Sequence, residues 1–413
     1  MEKKKFYPWL VVLLLSVVAL LNYLDRQMLS TLKDSMAMDF PELANAEMFG
    51  VLMAAFMWVY AFVSPFAGMV ADKVSRKWLI VCSLAVWSAV TCLMGYANDF
   101  NQLWVLRATM GISEALYIPS ALSLIADWHK DGSRSLAVGI HMAGLYMGQA
   151  LGGFGAMAAE SLSWQITFQS LGYFGVFYAV VLIFLLHEKR DNAPAPAINL
   201  EKKTAPAGGI LSGLIAVFCT AAFWVILFVF ATSSLPGWAT KNWLPELFKE
   251  SLNMDMSQVG PIATISLAVS SFIGAFLGGS ISDKWVKKTI RGRVFTSATG
   301  VFMMIPSLVL LGAGHSMAAV VGAVLLFGIG YGMFDTNNMP ILCQFVASRN
   351  RATAYGFMNM TGVLFGALVT TVMGMLNARN VSLGSIFAGI AVIMAVALIL
   401  QLTCLRPKVD NME

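Results

Sequence analysis

Apolar runs of about twenty residues recur along the whole chain, each long enough to cross a hydrocarbon layer about 30 Å thick as an α-helix. Twelve can be delimited, at residues 8–30, 48–70, 78–97, 102–127, 136–158, 165–187, 210–234, 258–281, 295–313, 317–339, 352–376 and 383–404. Only 12% of the 413 residues are charged, against about a quarter in a soluble domain. The runs therefore read as membrane spans, and the expected fold is an all-α integral membrane protein with 12 transmembrane helices. Alternation in segments of about ten residues, which would mark a spanning barrel, does not appear. The first run follows "MEKKK" and passes into "NYLDRQ" with no small-residue cleavage site, which predicts a retained helix and not a signal peptide. Cys82, Cys92, Cys219, Cys343 and Cys404 fall in predicted helices or, for Cys343, just beyond one, without pairing or ligand spacing, so no disulfide framework or metal is expected.

Basic residues sort to one side of this pattern. Twenty-one of the 27 Lys and Arg fall on the side that carries both chain ends, whereas Lys33, Lys241, Lys249 and Arg379 fall on the other and Arg26 and Arg107 lie within helices. The bias places both termini in the cytoplasm and agrees with an even number of crossings. It also accounts for the net charge of +5 without a nucleic-acid partner.

The chain has two halves. Between the sixth and seventh runs, "HEKRDNAPAPAINLEKKTAPAGG" is charged, rich in Pro and Ala, and without apolar period, as expected of a linker. This gives an N-terminal six-helix bundle at 1–187, a cytoplasmic linker at 188–209 and a C-terminal six-helix bundle at 210–413. The halves echo one another: "GMVADKVSRK" (68–77) corresponds to "GSISDKWVKK" (279–288), and "RSLAVG" (134–139) to "RATAYG" (351–356). A parallel repeat of six-helix bundles is a transporter architecture, with a site between the repeats near the membrane midplane.

These motifs make the chain similar to the major facilitator superfamily over essentially its whole length. The family's loop motif is met by Gly68, Asp72, Lys73, Arg76 and Lys77, with Ser75 where Gly is usual, and the second copy keeps Gly279, Asp283 and Lys284. The resemblance implies that this cluster latches the two halves when the cytoplasmic side is closed, with Arg134 and Arg351 as partners; otherwise it is a loop that only serves the positive-inside rule. "NYLDRQ" and "RATMGISEA" resemble the anion:cation symporter branch, whose members carry hexuronates, aldonates and sialic acid, and also the spinster-type lysolipid carriers. "GLYMGQALGG" has Gln149 where an antiporter signature carries Pro, which disfavours a drug:proton antiporter.

Charge inside a span costs roughly 2.5–3.5 kcal/mol on insertion scales and survives with a partner or a task. Asp25, Arg26, Arg107 and Glu114 are such residues. Arg107 and Glu114 are two helical turns apart, on one face about 10 Å from each other, so each needs a partner from another helix. The economical arrangement sets Asp25 beside Arg107 and Arg26 beside Glu114. Such a tetrad suits a proton-coupled anion carrier: Glu114 and Asp25 would hold the proton, and Arg26 or Arg107 would grip a substrate carboxylate with a planar fork. The alternative is a permanent ion-pair clamp between two helices.

Further candidates line the same predicted cavity. Tyr23 and Tyr117 would either bond a sugar hydroxyl or pack. His141 and Gln149 share a helix face, and His141 would be a second proton site or a neutral core histidine. In "YGMFDTNNMP", Asp335, Asn337 and Asn338 would line a midplane break or mark the membrane interface, with Asn359 and Thr361 joining them. Pro236 and Gly237 should break the seventh helix near the outer face, a hinge for an extracellular gate, and Lys241 there would either attract anions from outside or be an exposed loop lysine.

The reading is a secondary transporter of the plasma (inner) membrane. It would import a small organic anion, an acidic monosaccharide by resemblance, with protons moving in the same direction and Na+ as the alternative ion. It calls for no cofactor and treats the protein as a monomer in lipid. Two rivals are a spinster-like lysolipid exporter, which needs an apolar lateral opening, and a transporter-like sensor. An enzyme is disfavoured, since no GxSxG, HExxH or Walker pattern occurs.

Overall fold

In the computed structural model, residues 3–129, 133–188, 221–346 and 351–406 are described, and nearly all of them are helical. The expected linker lies outside these residues except for Glu188. In chain order the helices are α1 (Lys3–Thr31), α2 (Lys33–Ala37), α3 (Ala46–Lys73), α4 (Arg76–Met94), α5 (Phe100–Ala115), α6 (Tyr117–Trp128), α7 (Arg134–Gly152), α8 (Gly155–Leu162), α9 (Trp164–Leu185), α10 (Ala221–Leu252), α11 (Met256–Val286), α12 (Gly292–Ala313), α13 (Met317–Phe345), α14 (Arg351–Ala378) and α15 (Leu383–Cys404). Several starts are fixed by a side-chain oxygen that accepts from a first-turn N–H. Asn45 accepts from Glu47 N at 2.9 Å, Asp99 from Gln102 N at 2.9 Å and Ser316 from Ala319 N at 3.3 Å.

Eleven helical stretches among the described residues are long and apolar enough to cross a membrane. The exception is the fifth predicted run. It was expected as one helix over 136–158 but forms α7 and α8, which meet at Gly153 and Phe154. The junction packs closely on α11 and so requires glycine: a Cβ on Gly153 would collide with Thr264 Oγ1 and would lie 2.7 Å from Gly260 O. The fourth run is likewise two helices, α5 and α6, joined at Leu116. Pro119 has no N–H to offer the Ala115 carbonyl, so the ladder loosens one residue beyond Glu114.

Two compact units result. The first holds residues up to 195 together with Lys241–Ala268 and Thr370–Asn380, and the second holds the rest. Within the first, α1 and α7 are pressed together along Gly144, Gly148 and Gly152, one turn apart on α7. A Cβ on Gly144 would collide with Ser16 O and one on Gly148 with Leu20 O, and one on Gly152 would lie 2.5 Å from Gln27 Cβ. Small residues at this spacing let two backbones touch where apolar side chains would hold them apart. The Thr31 end of α1 and α2 is tied to α10. Lys33 Nζ meets Glu246 Oε1 at 2.8 Å, both nearly buried, and the more exposed Lys249 Nζ meets Asp34 Oδ2 at 2.6 Å. Asn242 Nδ2 donates to Thr370 Oγ1 of α14 at 2.8 Å.

The expected break at Pro236 and Gly237 is absent, since α10 runs unbroken from Ala221 to Leu252. In hydrocarbon a stretch of open backbone costs more than a missing N–H, so proline is absorbed into the helix. Thr232, Ser234 and Thr240 hydroxyls donate to the carbonyls of Phe228, Phe230 and Pro236 at 2.7, 2.7 and 2.8 Å around it.

In the second unit a buried cluster of Phe223, Ile226, Val294, Ile341, Leu342 and Met358 joins α10, α12, α13 and α14. Asn337 pins α13 to α11, donating to Met333 O at 2.8 Å and Gly278 O at 3.4 Å.

Candidate functional site

Four charged side chains predicted to lie inside the membrane gather in the first unit on α1 and α5. Successive helical residues diverge by about 100°, so Asp25 and Arg26 face different neighbours. Arg26 points at α5, where its Nε donates to Glu114 Oε2 at 2.5 Å, and the Glu114 side chain has no solvent exposure. Asn22, one turn before Arg26, donates to the same oxygen at 2.8 Å. Glu114 Oε1 and Arg26 Nη2 are buried and make no hydrogen bond among the described residues. Asp25 points at α4, where its Oδ2 lies 3.2 Å from the Thr91 hydroxyl.

The expected pairing of Asp25 with Arg107 is not formed. No ion pair joins them among the described residues. Arg107 instead runs along α3 and its own helix, with its guanidinium 5.2 Å from the centre of the Phe56 ring and Nη1 3.2 Å from Met110 Sδ. Arg26 lies over the same Phe56 ring at 4.5 Å and near Tyr60 at 5.1 Å and Tyr23 at 5.2 Å. Two guanidiniums therefore share one aromatic ring. Like charges held this close in low dielectric are an anion-attracting arrangement, because a carboxylate between them relieves the repulsion.

Lys241, expected in an exposed loop, sits within α10 with Nζ 5.8 Å from the Tyr23 ring. Its backbone carbonyl accepts from Gln27 Nε2 at 2.8 Å. Sequence reasoning passed over Asn22, Phe56, Tyr60 and Thr91. Asn22 with Arg26, and Phe56 with Tyr60, are pairs one turn apart, and that spacing was the available signal.

The other candidates take varied places. Tyr117 is buried with its hydroxyl donating to Leu15 O at 2.7 Å and its ring edge-on to Trp87, so it braces α6 against α1. His141 is buried with its ring centre 5.9 Å from that of Tyr117. Gln149 is buried, and its Nε2 makes no hydrogen bond among the described residues. In the second unit Asp335 is exposed and accepts from Asn338 Nδ2 at 3.3 Å. Asn337 serves the α13–α11 contact described above, and Asn359 is half-buried on α14.

Of the loop motif, Gly68, Asp72 and Lys73 lie outside the residues whose surroundings are described. Arg76 forms an ion pair with Asp127 at the end of α6, and its backbone N–H donates to Glu188 Oε1 at 2.9 Å. Ser75 Oγ donates to Glu188 Oε2 at 2.6 Å, so Glu188 sets a carboxylate at the α4 N-terminus, where the helix dipole favours it. Lys77 Nζ donates to Ile183 O at 2.7 Å. In the second copy Asp283 lies 3.6 Å from Arg293, and Lys284 is exposed. Arg134 and Arg351 donate to carbonyls at the ends of α6 and α13, respectively.

The Major Facilitator Superfamily profile matches residues 15–370 and 242–411. The chain is 24% identical over 406 residues to the hexuronate transporter of Bacillus subtilis (strain 168), covering 94% of this chain and 93% of that one. It is also 24% identical over 381 residues to the probable L-galactonate transporter of Escherichia coli (strain K12), covering 88% and 81%. Its fold matches that of a bacterial homolog of the human lysosomal transporter Spinster, in an inward-facing and occupied conformation, with a TM-score of 0.78, 19% identity and 98% of each chain covered. A helical, multi-pass chain with charge gathered inside its membrane-spanning helices, matched over nearly its whole length by that profile, belongs to the Major Facilitator Superfamily and is an integral membrane transporter, not an enzyme.

Proposed function

We propose that the protein imports an acidic monosaccharide (a hexuronate, aldonate or sialic acid) together with protons, by alternating access. Twelve spans in two six-helix bundles, with both termini in the cytoplasm and the loop motif as the cytoplasmic latch, form its frame. The relatives named as hexuronate and galactonate transporters support this substrate class.

The observation that carries the proposal is the buried Arg26–Glu114 pair with Asn22 on the same carboxylate oxygen. A substrate carboxylate and an ionised Glu114 compete for one guanidinium and repel each other. Protonation of Glu114 releases Arg26 to the substrate, and by linkage the two events favour one another. Arg107, whose guanidinium lies near the same Phe56 ring as that of Arg26, supplies the second fork. Binding then biases the equilibrium between states through the contacts it exchanges.

Proteoliposomes holding the full chain test this. Glucuronate, galactonate or sialic acid should accumulate against a gradient when the outside is made acidic, whereas neutral sugars should not. Accumulation that follows Na+ and ignores pH would overturn the proton assignment, and competition by lysolipids in place of sugar acids would overturn the substrate class.

A further inference from the structure

We propose that the end of α11 and the loop after it bind an anionic phospholipid, with an acyl chain along α11 and the phosphate held by Lys284, Lys288 and Arg291. The inference is independent of what the protein carries. It starts from a row on α11: Val269, Ile273, Leu277, Ile281 and Trp285 stand at every fourth position and are each 37–49% exposed. Residues four apart form a continuous ridge on a helix, and sixteen residues of helix span about 24 Å. That is longer than the roughly 15 Å of one hydrocarbon leaflet. In a bilayer such a ridge meets acyl chains. Its last member is Trp285, a residue type that settles at the level of the headgroups.

Basic groups stand where the headgroup would be. From Asp283 to Arg293 the chain carries Lys284, Lys287, Lys288, Arg291 and Arg293 against that one acid. Lys284 and Lys288, one turn apart, flank Trp285. All three lysine side chains are exposed and make no hydrogen bond or ion pair among the described residues. The loop folds back on α11, since a Cβ on Gly292 would lie 2.5 Å from the Trp285 backbone carbon. Arg291 is thereby brought to the same end, with its guanidinium 4.8 Å from the centre of the Phe295 ring, which is edge-on to Trp285. Its Nη2 donates to Leu402 O and fixes the fork, while its Nε is buried with no hydrogen-bond partner among the described residues. The corresponding loop of the first half is arranged differently. There Arg76 is paired with Asp127 and Lys77 donates to Ile183 O, so the chain itself engages both cations. Sorting of charge across the membrane accounts for a basic loop in each half, but not for three lysines left unmatched in the second. A lipid phosphate at the end of the ridge matches them.

Native mass spectrometry of the full chain in detergent tests this, with equal amounts of phosphatidylglycerol and phosphatidylcholine that share the same acyl chains. The wild type should retain phosphatidylglycerol roughly tenfold or more over phosphatidylcholine. Lys284→Gln combined with Lys288→Gln should remove that preference, as expected for two cations beside an anionic surface. Lys284→Arg combined with Lys288→Arg should keep it. Arg379→Gln, an exposed position just beyond α14, should leave it unchanged. Equal retention of the two lipids by the wild type would overturn the inference, and so would a preference that survives the double Gln variant. A loss in the double Arg variant, or an equal loss with Arg379→Gln, would do the same. Displacement of phosphatidylglycerol by glycerol 3-phosphate at the same concentration would show a site for free phosphate in place of a lipid, and would also overturn it.

Discussion

Arg134 and Arg351 make the same pair of contacts in the two halves of the chain. Each guanidinium donates to the carbonyls five and eight residues before it: Arg134 to His129 O at 3.3 Å and Ala126 O at 3.4 Å, Arg351 to Val346 O at 3.2 Å and Cys343 O at 3.0 Å. The repeat seen between "RSLAVG" and "RATAYG" thus extends to which orphan carbonyls a side chain satisfies. Each Arg sits at the negative end of the preceding helix. Arg134→Ala and Arg351→Ala should each lower stability by about 1 kcal/mol, with the Lys variants in between. Thermal unfolding in detergent would check this, and a large effect at one site with none at the other would refute the equivalence.

Glu114→Gln should abolish proton-driven accumulation while substrate exchange across the membrane persists in part. The amide oxygen can still accept from Arg26 and Asn22, so the fold survives, but no proton can be carried. Counterflow beside pH-driven uptake separates the two functions, and normal accumulation would remove Glu114 from coupling.

Arg107→Lys should weaken substrate binding by roughly tenfold or more, because a point charge replaces a fork that also stacks on Phe56. Isothermal binding would measure it. Near-wild-type affinity would count against a carboxylate grip at this position.

Lys33 and Glu246 form a nearly buried pair, whereas Asp34 and Lys249 are much more open to solvent. Removing one member of the buried pair strands a charge and should cost about 3–5 kcal/mol, and the exposed pair should contribute no more than about 1 kcal/mol. Lys33→Met and Glu246→Met should each be worse than the double variant. A double variant as unstable as the sum of the singles would show that the two do not couple.

Gly148→Ala should impair folding or transport severely, since the methyl would collide with the Leu20 carbonyl. Gly139→Ala on the same helix meets no described atom within 4 Å and should be neutral, or stabilising by up to about 1 kcal/mol. Expression and melting of the two variants decide the matter.

Intramembrane charge was legible in the sequence because Asp25, Arg26, Arg107 and Glu114 stand out against apolar neighbours at a known insertion cost. Phe56 and Tyr60 were not, since an aromatic ring in an apolar run has the same pattern whether it packs or faces a cation. The Asp25–Arg107 pairing failed on direction: helical spacing gives the angle between Asp25 and Arg26 but not which neighbour each will face. Lys241 was misjudged because Pro236 and Gly237 follow the rules of helices in water, and in lipid the continuity of α10 outweighs them. The need for glycine at 153, where α7 and α8 meet, comes from Thr264 and Gly260, more than a hundred residues later in the chain, and local patterning carries no trace of them.

The two oxygens of Glu114 have separate occupations. Oε2 holds both Asn22 and Arg26, while Oε1 has no described partner. If Glu114 takes the proton as proposed, it would settle on the idle oxygen without first dismantling the tether on the other. On the proposed function, charging the carrier and releasing its guanidinium would be consecutive events with their own rates, so a solvent isotope effect on one need not appear in the other.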